Sequence, residues 1–148
     1  MTHYSVLNAG APEAWSTGQF PHPAFEKPVR GKQFLAERLG LTGMEISLNS
    51  LPSNYSVPFL HSHREHEELY LFVAGEGEML IDGDIVAVRS GTAVRVAPPA
   101  KRAWRNTGAE PLVYLVIQAK ADTLTSNTIK DGRVAKEPPD WAHAAIVS

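Results

Sequence analysis

The sequence predicts an all-β protein, built as a single antiparallel barrel or sandwich with a terminal arm at each end. Short apolar runs recur from Gln33 to Gln118, and Gly, Pro, Asn or Asp residues separate them, as is typical of strands joined by turns. Many short strands at such close spacing favour a barrel or a sandwich. The chain has 148 residues, which indicates one domain.

The predicted strands follow one another closely along the chain. The Asp82-Gly83 pair lies between two apolar runs and predicts a hairpin turn, because Gly tolerates positive φ. We place the barrel at residues 32–120, with an N-terminal arm at 1–31 and a C-terminal tail at 121–148. The predicted strands are residues 33–37, 44–51, 57–62, 68–74, 78–82, 85–89, 93–96, 103–106 and 112–118.

The two terminal segments carry apolar residues that predict packing. The N-terminal arm is rich in Pro and Gly, yet it contains Trp15, Phe20 and Phe25. A solvated tail rarely carries so many aromatic residues, so we expect the arm to pack on its own barrel or on a second subunit. This arm favours a homodimer. In the tail, Trp141 and Ile146 predict that at least one part docks.

The composition excludes several classes of function. Fourteen basic and sixteen acidic residues give a net charge of −2, which offers no reason to propose nucleic acid or an anionic membrane as a partner. The absence of Cys excludes disulfides, thiolate metal sites and a cysteine nucleophile. The N-terminus does not read as a signal peptide, and no apolar stretch has the length of a membrane span. We therefore expect a cytoplasmic protein that binds a small molecule.

The residues with the clearest chemistry are His61, His63 and Glu68, which lie just before the apolar run 69–74. Alternate residues of a strand share a face, so His61 and His63 would project together. Glu68 has an odd offset from them, and a bend around residues 64–66 must therefore re-aim its carboxylate. Two imidazoles and one carboxylate suit a divalent Fe, Mn, Ni, Zn or Cu ion and leave coordination positions open.

A charged loop before a buried strand is the alternative interpretation of the same residues. The run 69–74 is apolar on both faces, as in a strand buried on both sides, and an unpaired charge beside such a strand is costly. This cost favours a metal site over a charged loop. His66 could supply a fourth ligand, although a solvent-exposed loop histidine is the simpler interpretation. Glu67 is a weaker substitute ligand.

These residues resemble the first motif of the cupin superfamily, Gly-x5-His-x-His-x3,4-Glu-x6-Gly. His61, His63, Glu68 and Gly75 match it in register, and Tyr55 stands in the place of the leading Gly. The resemblance implies a small antiparallel jelly-roll barrel, often dimeric, with its site in the barrel mouth. Cupins include dioxygenases, isomerases, decarboxylases, storage proteins and ligand sensors, so the fold alone does not specify a reaction.

The second cupin motif, Gly-x5-Pro-x-Gly-x2-His-x3-Asn, is matched only in part. Gly91 and Asn106 agree with it, whereas Ala97, Pro99 and Arg102 replace its Pro, Gly and His. A guanidinium has no free lone pair and stays protonated, so the residue in the place of the usual fourth ligand cannot bind a metal.

Two placements of Arg102 follow from its chemistry. It could point away and leave a three-ligand site, or it could reach inward and form a bidentate pair with Glu68 that replaces the metal. In a variant of the second placement, Arg102 anchors a carboxylate or phosphate of a bound ligand. We expect Arg102, Trp104, Tyr70 and Gln118 to contact that ligand.

Three functional hypotheses remain open from the sequence. In the first, His61, His63 and Glu68 hold a divalent ion in a dioxygenase-like oxidoreductase or an isomerase that acts on a small polar or anionic substrate. In the second, a metal-free cavity binds a sugar or a carboxylate without catalysis. In the third, the histidines form only a hydrogen-bond network in a structural or interaction protein.

Overall fold

The computed structural model describes residues 2–147 and contains mostly antiparallel strands. A 3₁₀ helix, Pro12–Thr17, precedes the first strand, and one short helix, α1 (Ala36–Leu39), follows the third. The strands are β1 (Gln19–Phe20), β2 (Val29–Arg30), β3 (Lys32–Phe34), β4 (Glu45–Leu51), β5 (His66–Ala74), β6 (Glu76–Ile81), β7 (Asp84–Arg89), β8 (Ala93–Val96), β9 (Arg102–Asn106) and β10 (Leu112–Lys120).

Two sheets form the jelly roll, and their facing residues share one core. The larger sheet has the strand order β3-β4-β10-β5-β8, and the smaller has the order β7-β6-β9. Strands β1 and β2 pair separately as a hairpin of the N-terminal arm. Apolar side chains of both sheets pack between them; they are Leu51, Tyr70, Phe72, Met79, Val88, Val96, Trp104, Leu112, Tyr114 and Val116.

The predicted turn at Asp82-Gly83 is confirmed. Ile81 pairs with Asp84 across it, and φ is 48° at Asp82 and 93° at Gly83. Positive φ at both central residues is the geometry that matches the twist of the flanking strands.

Two of the predicted strands are wrong in part. Residues 35–37 leave the strand and enter α1, because the Glu45 carboxylate accepts hydrogen bonds from the backbone N–H groups of Leu35 and Ala36. Residues 57–62 form no continuous strand. Two isolated bridges, at Ser56 and His61, connect this part of the chain to β9, and Pro58 between them has no backbone N–H to donate.

The N-terminal arm lies on its own barrel. Trp15 is buried against Leu35, Leu48 and Val113, and its indole N–H donates a hydrogen bond to the carbonyl of Gly10. The hairpin that follows packs its aromatic side chains over the open end of the barrel.

A glycine joins the arm hairpin to the larger sheet. Gly31 lies between β2 and β3 with φ at +71°, and a Cβ atom there would collide with the carbonyl oxygen of Ser50. Only glycine combines this backbone conformation with so close an approach. The turn therefore fixes the position of Lys32, the first residue of β3, relative to the arm.

The expected docking of the C-terminal tail is wrong for the single chain. Trp141 and Ile146 are 87% and 99% exposed, and no described residue after Lys120 belongs to a strand or helix. Within residues 2–147, no helix has both the length and the apolar character needed to cross a membrane.

Candidate metal centre

Two histidines and one carboxylate converge at the mouth of the barrel. Nε2 of His61 lies 3.6 Å from Oε1 of Glu68, and Nε2 of His63 lies 3.3 Å from Oε2 of the same carboxylate. Each of the three residues offers one ligand atom, and these atoms all lie within 4.8 Å of one another. A divalent ion that binds nitrogen and oxygen at about 2.0–2.2 Å could bridge such a set.

The local backbone explains this convergence. His61 exchanges two backbone hydrogen bonds with Arg102 of β9, which holds the segment against the smaller sheet. The chain then bends at residues 64–65 before it enters β5. The bend changes the side-chain alternation, so Glu68 faces the same space as His61 and His63 despite its odd offset.

Two imidazole nitrogens of the site are buried without a hydrogen-bond partner among the described residues. They are Nδ1 of His61 and Nε2 of His63. An unpartnered buried polar atom is costly, and a bound ion would satisfy Nε2 of His63. Burial lowers the pKa of His63, although the Glu68 charge acts in the opposite direction, so this imidazole is neutral at neutral pH and keeps a lone pair for a metal.

Glu68 is ionised although it is almost fully buried. Burial by itself would raise the pKa of its carboxyl group, but the His61 imidazole 3.6 Å away, the hydrogen bond from Tyr70 and the His63 imidazole lower it to about 2. The Tyr70 hydroxyl donates to Oε1 at 2.7 Å. This contact leaves Oε2 facing His63, where it is oriented as a ligand.

Arg102 reaches inward but does not form the bidentate pair with Glu68 that we considered. Its closest nitrogen to the carboxylate is Nε, at 3.7 Å from Oε1. The guanidinium instead donates to the carbonyl of Ala97 at 3.0 Å and to the carbonyl of His61 at 3.5 Å. The side chain is fully buried and is not among the residues that line the cavity.

The space between His61, His63 and Glu68 opens into a cavity of about 790 Å³. Its wall includes Tyr70, Trp104 and Gln118, three of the residues expected to contact a ligand. Their polar groups already have partners within the protein. Tyr70 donates to Glu68, the Trp104 indole donates to the Tyr114 hydroxyl at 2.6 Å, and Gln118 Oε1 lies 2.8 Å from a ring nitrogen of His66.

The two substitute ligands considered for the site lie outside the cluster. His66 begins β5 and contacts Gln118, and its ring stacks 6.2 Å from the ring of His63. Glu67 forms an ion pair of 2.8 Å with Arg95 at the surface. Neither belongs to the group of residues that could hold an ion in the described chain.

The arm hairpin covers part of the cavity. Phe20 packs edge-on against Phe34 at 4.7 Å between ring centroids, and Phe25 lies 5.7 Å from Phe59. His22 lies beside Phe25 and also lines the space. These aromatic residues form one wall above the barrel.

Lys32 is a cavity residue that the sequence analysis missed. Its ammonium donates hydrogen bonds to Asn49 at 2.8 Å and to Ser47 at 3.3 Å. Burial lowers the pKa of Lys32 to about 8, with the Glu68 charge acting in the opposite direction. A signal was available in the sequence, because two polar residues, Ser47 and Asn49, alternate on one face of a predicted strand.

Comparison with solved structures identifies a close fold relative. A cupin protein from Bacteroides fragilis has 32% sequence identity and a TM-score of 0.75, over 91% of this chain and 99% of that chain. A protein from Acidithiobacillus ferrooxidans, assigned as a sugar phosphate isomerase, has 27% identity and a TM-score of 0.54, over 62% of this chain and 59% of that chain. The plu4264 protein from Photorhabdus luminescens, at 14% identity and a TM-score of 0.55, shares the fold, over 61% of this chain and 74% of that chain.

No curated protein matches the chain in sequence, but a family model does. The family model described as a cupin domain matches residues 50–118, which include both histidines and the carboxylate of the site. Together with the jelly-roll topology and the relative from Bacteroides fragilis, this match shows that the chain belongs to the cupin superfamily.

Proposed function

We propose that the protein is a divalent-metal cupin enzyme that acts on a small polar or anionic substrate. The observation that carries this proposal is the convergence of His61, His63 and Glu68 with an unpartnered imidazole nitrogen aimed at the carboxylate. The donor set of two histidines and one carboxylate suits Fe, Mn, Ni or Zn. It also leaves coordination positions for a substrate that enters the cavity.

A bound divalent ion would supply Lewis-acid chemistry or a site for O2. The protein supplies the orientation of the ligands. Tyr70 holds one carboxylate oxygen of Glu68, and the backbone pairing of His61 with Arg102 fixes the first imidazole. Apolar and aromatic residues around the site, including Trp104, limit the access of water.

Two reaction classes remain candidates, and each has its own support. The likeness to the protein assigned as a sugar phosphate isomerase favours an isomerase that acts on a small hydroxylated or phosphorylated substrate. The set of two histidines and one carboxylate favours a dioxygenase-like oxidoreductase, because non-haem iron oxygenases use that set. Consumption of O2 in the presence of substrate separates the two classes.

A metal-free binding protein is the second candidate function. Its support is the buried guanidinium of Arg102, which stands 3.7 Å from Glu68 and would weaken the binding of a cation there. In that case the cavity would bind a sugar or a carboxylate without catalysis.

Metal analysis of tag-free protein tests the proposal. We expect about one divalent ion per chain after incubation with Fe(II), Mn(II), Ni(II) or Zn(II), and loss of that ion in His61→Ala, because two ligands hold a divalent ion poorly. Lys27→Met, at an exposed cavity residue, is the matched control and should keep the ion. Less than about 0.1 ion per chain in the wild type, with none regained, would contradict the proposal.

We also propose that the protein is a homodimer. Large apolar side chains are exposed on the single chain, among them Leu60, Ile129, Trp141 and Ile146. Exposed apolar side chains that come together in one patch mark association sites. Light scattering after size-exclusion chromatography should give twice the chain mass of 16.1 kDa, and a mass of one chain would contradict the dimer.

A further inference from the structure

The cavity contains a partly buried cation that the candidate metal centre does not use. Lys32 lies on β3, and its ammonium contacts Asn49 Oδ1, Ser47 Oγ and the face of the Phe34 ring, the last at 5.1 Å from the centroid. An ammonium has three N–H donors, and two are used by these side-chain oxygens. The remaining donor has no acceptor among residues 2–147.

No carboxylate of the described chain neutralises this ammonium. Every ion pair within 4.0 Å among residues 2–147 involves other cations. Glu68, the carboxylate whose charge acts on Lys32, accepts its hydrogen bond from Tyr70. A partly desolvated charge without a counter-ion marks a place where an anionic ligand gains free energy by binding. Lys32 is still largely protonated at neutral pH, since its lowered pKa of about 8 lies above 7.

The ammonium is also held in position before any ligand arrives. Asn49 donates from Nδ2 to the backbone carbonyl and the hydroxyl of Ser47, at 3.1 and 3.0 Å, which turns its Oδ1 toward Lys32. The register of the sheet places Lys32 directly opposite Asn49. A donor fixed in this way loses little conformational entropy when it binds a ligand.

The charges around the cavity favour an anion. Among the residues that line it, three are basic, Lys27, Arg30 and Lys32, and one is acidic, Glu68. A metal ion bound by Glu68 and the histidines would make the cavity still more positive. Strands β3 and β5 are separated by β4 and β10, so their backbones lie about 14 Å apart, and their inward side chains approach each other across the cavity.

We propose that Lys32, positioned by Ser47 and Asn49, forms an anion subsite that binds a carboxylate or phosphate group of the substrate. This inference deepens the proposed function and rests on it in one respect. It assumes that the reacting end of the same molecule lies at the proposed metal centre. The substrate is then a small molecule with an anionic group at one end and oxygen ligands for a metal at the other.

Calorimetry on metal-free protein tests the subsite without the metal. Wild-type protein treated with a chelator is titrated at pH 7 with inorganic phosphate and, separately, with malonate; the better ligand of the two identifies the anion class. We expect Lys32→Met to weaken the binding of that anion by at least about tenfold. Lys27→Met makes the same change at an exposed lining residue and should alter the affinity by no more than about twofold.

Two further variants keep the outcome interpretable. Lys32→Gln should show the same loss, and it replaces Lys32→Met if the latter does not fold. His61→Ala should bind the anion as the wild type does, whereas the Lys32 variants should keep the metal content of the wild type. Metal content therefore tests the proposed metal centre, and anion affinity separately tests the proposed subsite.

Either of two results would contradict the proposed anion subsite. In one, neither phosphate nor malonate binds wild-type protein. In the other, the Lys32 variants bind the anion as tightly as the wild type or no more weakly than Lys27→Met does, which would assign the binding to the general charge of the cavity.

Discussion

The hydroxyl of Tyr70 donates a hydrogen bond of 2.7 Å to Oε1 of Glu68, two residues earlier on the same strand. Both side chains point into the barrel because they occupy alternate positions of β5. Burial and the Glu68 charge raise the pKa of Tyr70, so its hydroxyl keeps its proton and donates at neutral pH. The pair fixes one carboxylate oxygen and leaves the other facing His63.

Removal of that hydroxyl should weaken metal binding. Tyr70→Phe keeps the ring in the core and frees the Glu68 carboxylate to rotate, so we expect metal affinity to fall by about tenfold or more, as for other groups that orient metal ligands. Competition with a chromogenic chelator measures the change. Tyr55→Phe removes a hydroxyl from a more exposed tyrosine of the cavity and should have no effect. Equal affinities in the two variants would show that Tyr70 does not orient Glu68.

The residue in the place of the usual fourth ligand should limit metal affinity. Arg102→His removes a buried positive charge 3.7 Å from Glu68 and introduces an imidazole, so we expect affinity to rise by more than about tenfold, or about 1.4 kcal/mol. Arg105→His, three residues along the same strand, replaces an exposed arginine paired with Glu78 and serves as the control. Unchanged affinity in Arg102→His would mean that position 102 cannot reach the ion.

Lys32 should make stability depend on pH above neutrality. Its pKa is about 8 in the folded protein against 10.5 for an ordinary lysine, so between these values the unfolded chain binds more protons than the folded one. The free energy of unfolding therefore gains a contribution that rises with pH in this window. Glu68 is the charged group that opposes the shift, and the side chains of Ser47, Asn49 and Phe34 are uncharged.

Urea unfolding at pH 7.5 and pH 10 measures this contribution by comparison with Lys32→Met. The variant should be relatively more stable at pH 7.5, and its advantage over the wild type should shrink by pH 10, where the wild-type amine is neutral. Lys27→Met should follow the wild type at both pH values. A difference between Lys32→Met and wild type that stays constant with pH would contradict the lowered pKa.

The convergence of His61, His63 and Glu68 was predictable because its signal is local. His61, His63 and Glu68 lie within eight consecutive residues, and strand alternation together with one bend determines which way they point. The turn at Asp82-Gly83 was predictable for the same reason.

The features that the sequence did not reveal depend on contacts between distant residues. Lys32 becomes a site residue only because β3 pairs with β4 in a register that sets it opposite Asn49, seventeen residues away. The partners of Arg102 are backbone carbonyls, at Ala97 and His61, and no side-chain pattern encodes them. The helix at Ala36 likewise requires the distant Glu45 carboxylate.

The aromatic hairpin of the N-terminal arm has a consequence for which molecules the protein accepts. Phe20, His22 and Phe25 lie above the barrel opening, on a segment separate from the metal ligands and from Lys32. The length and side chains of that hairpin set the width of the entrance. Changes at residues 19–30 can therefore alter the size and shape of the molecules that enter the cavity without altering His61, His63, Glu68 or Lys32.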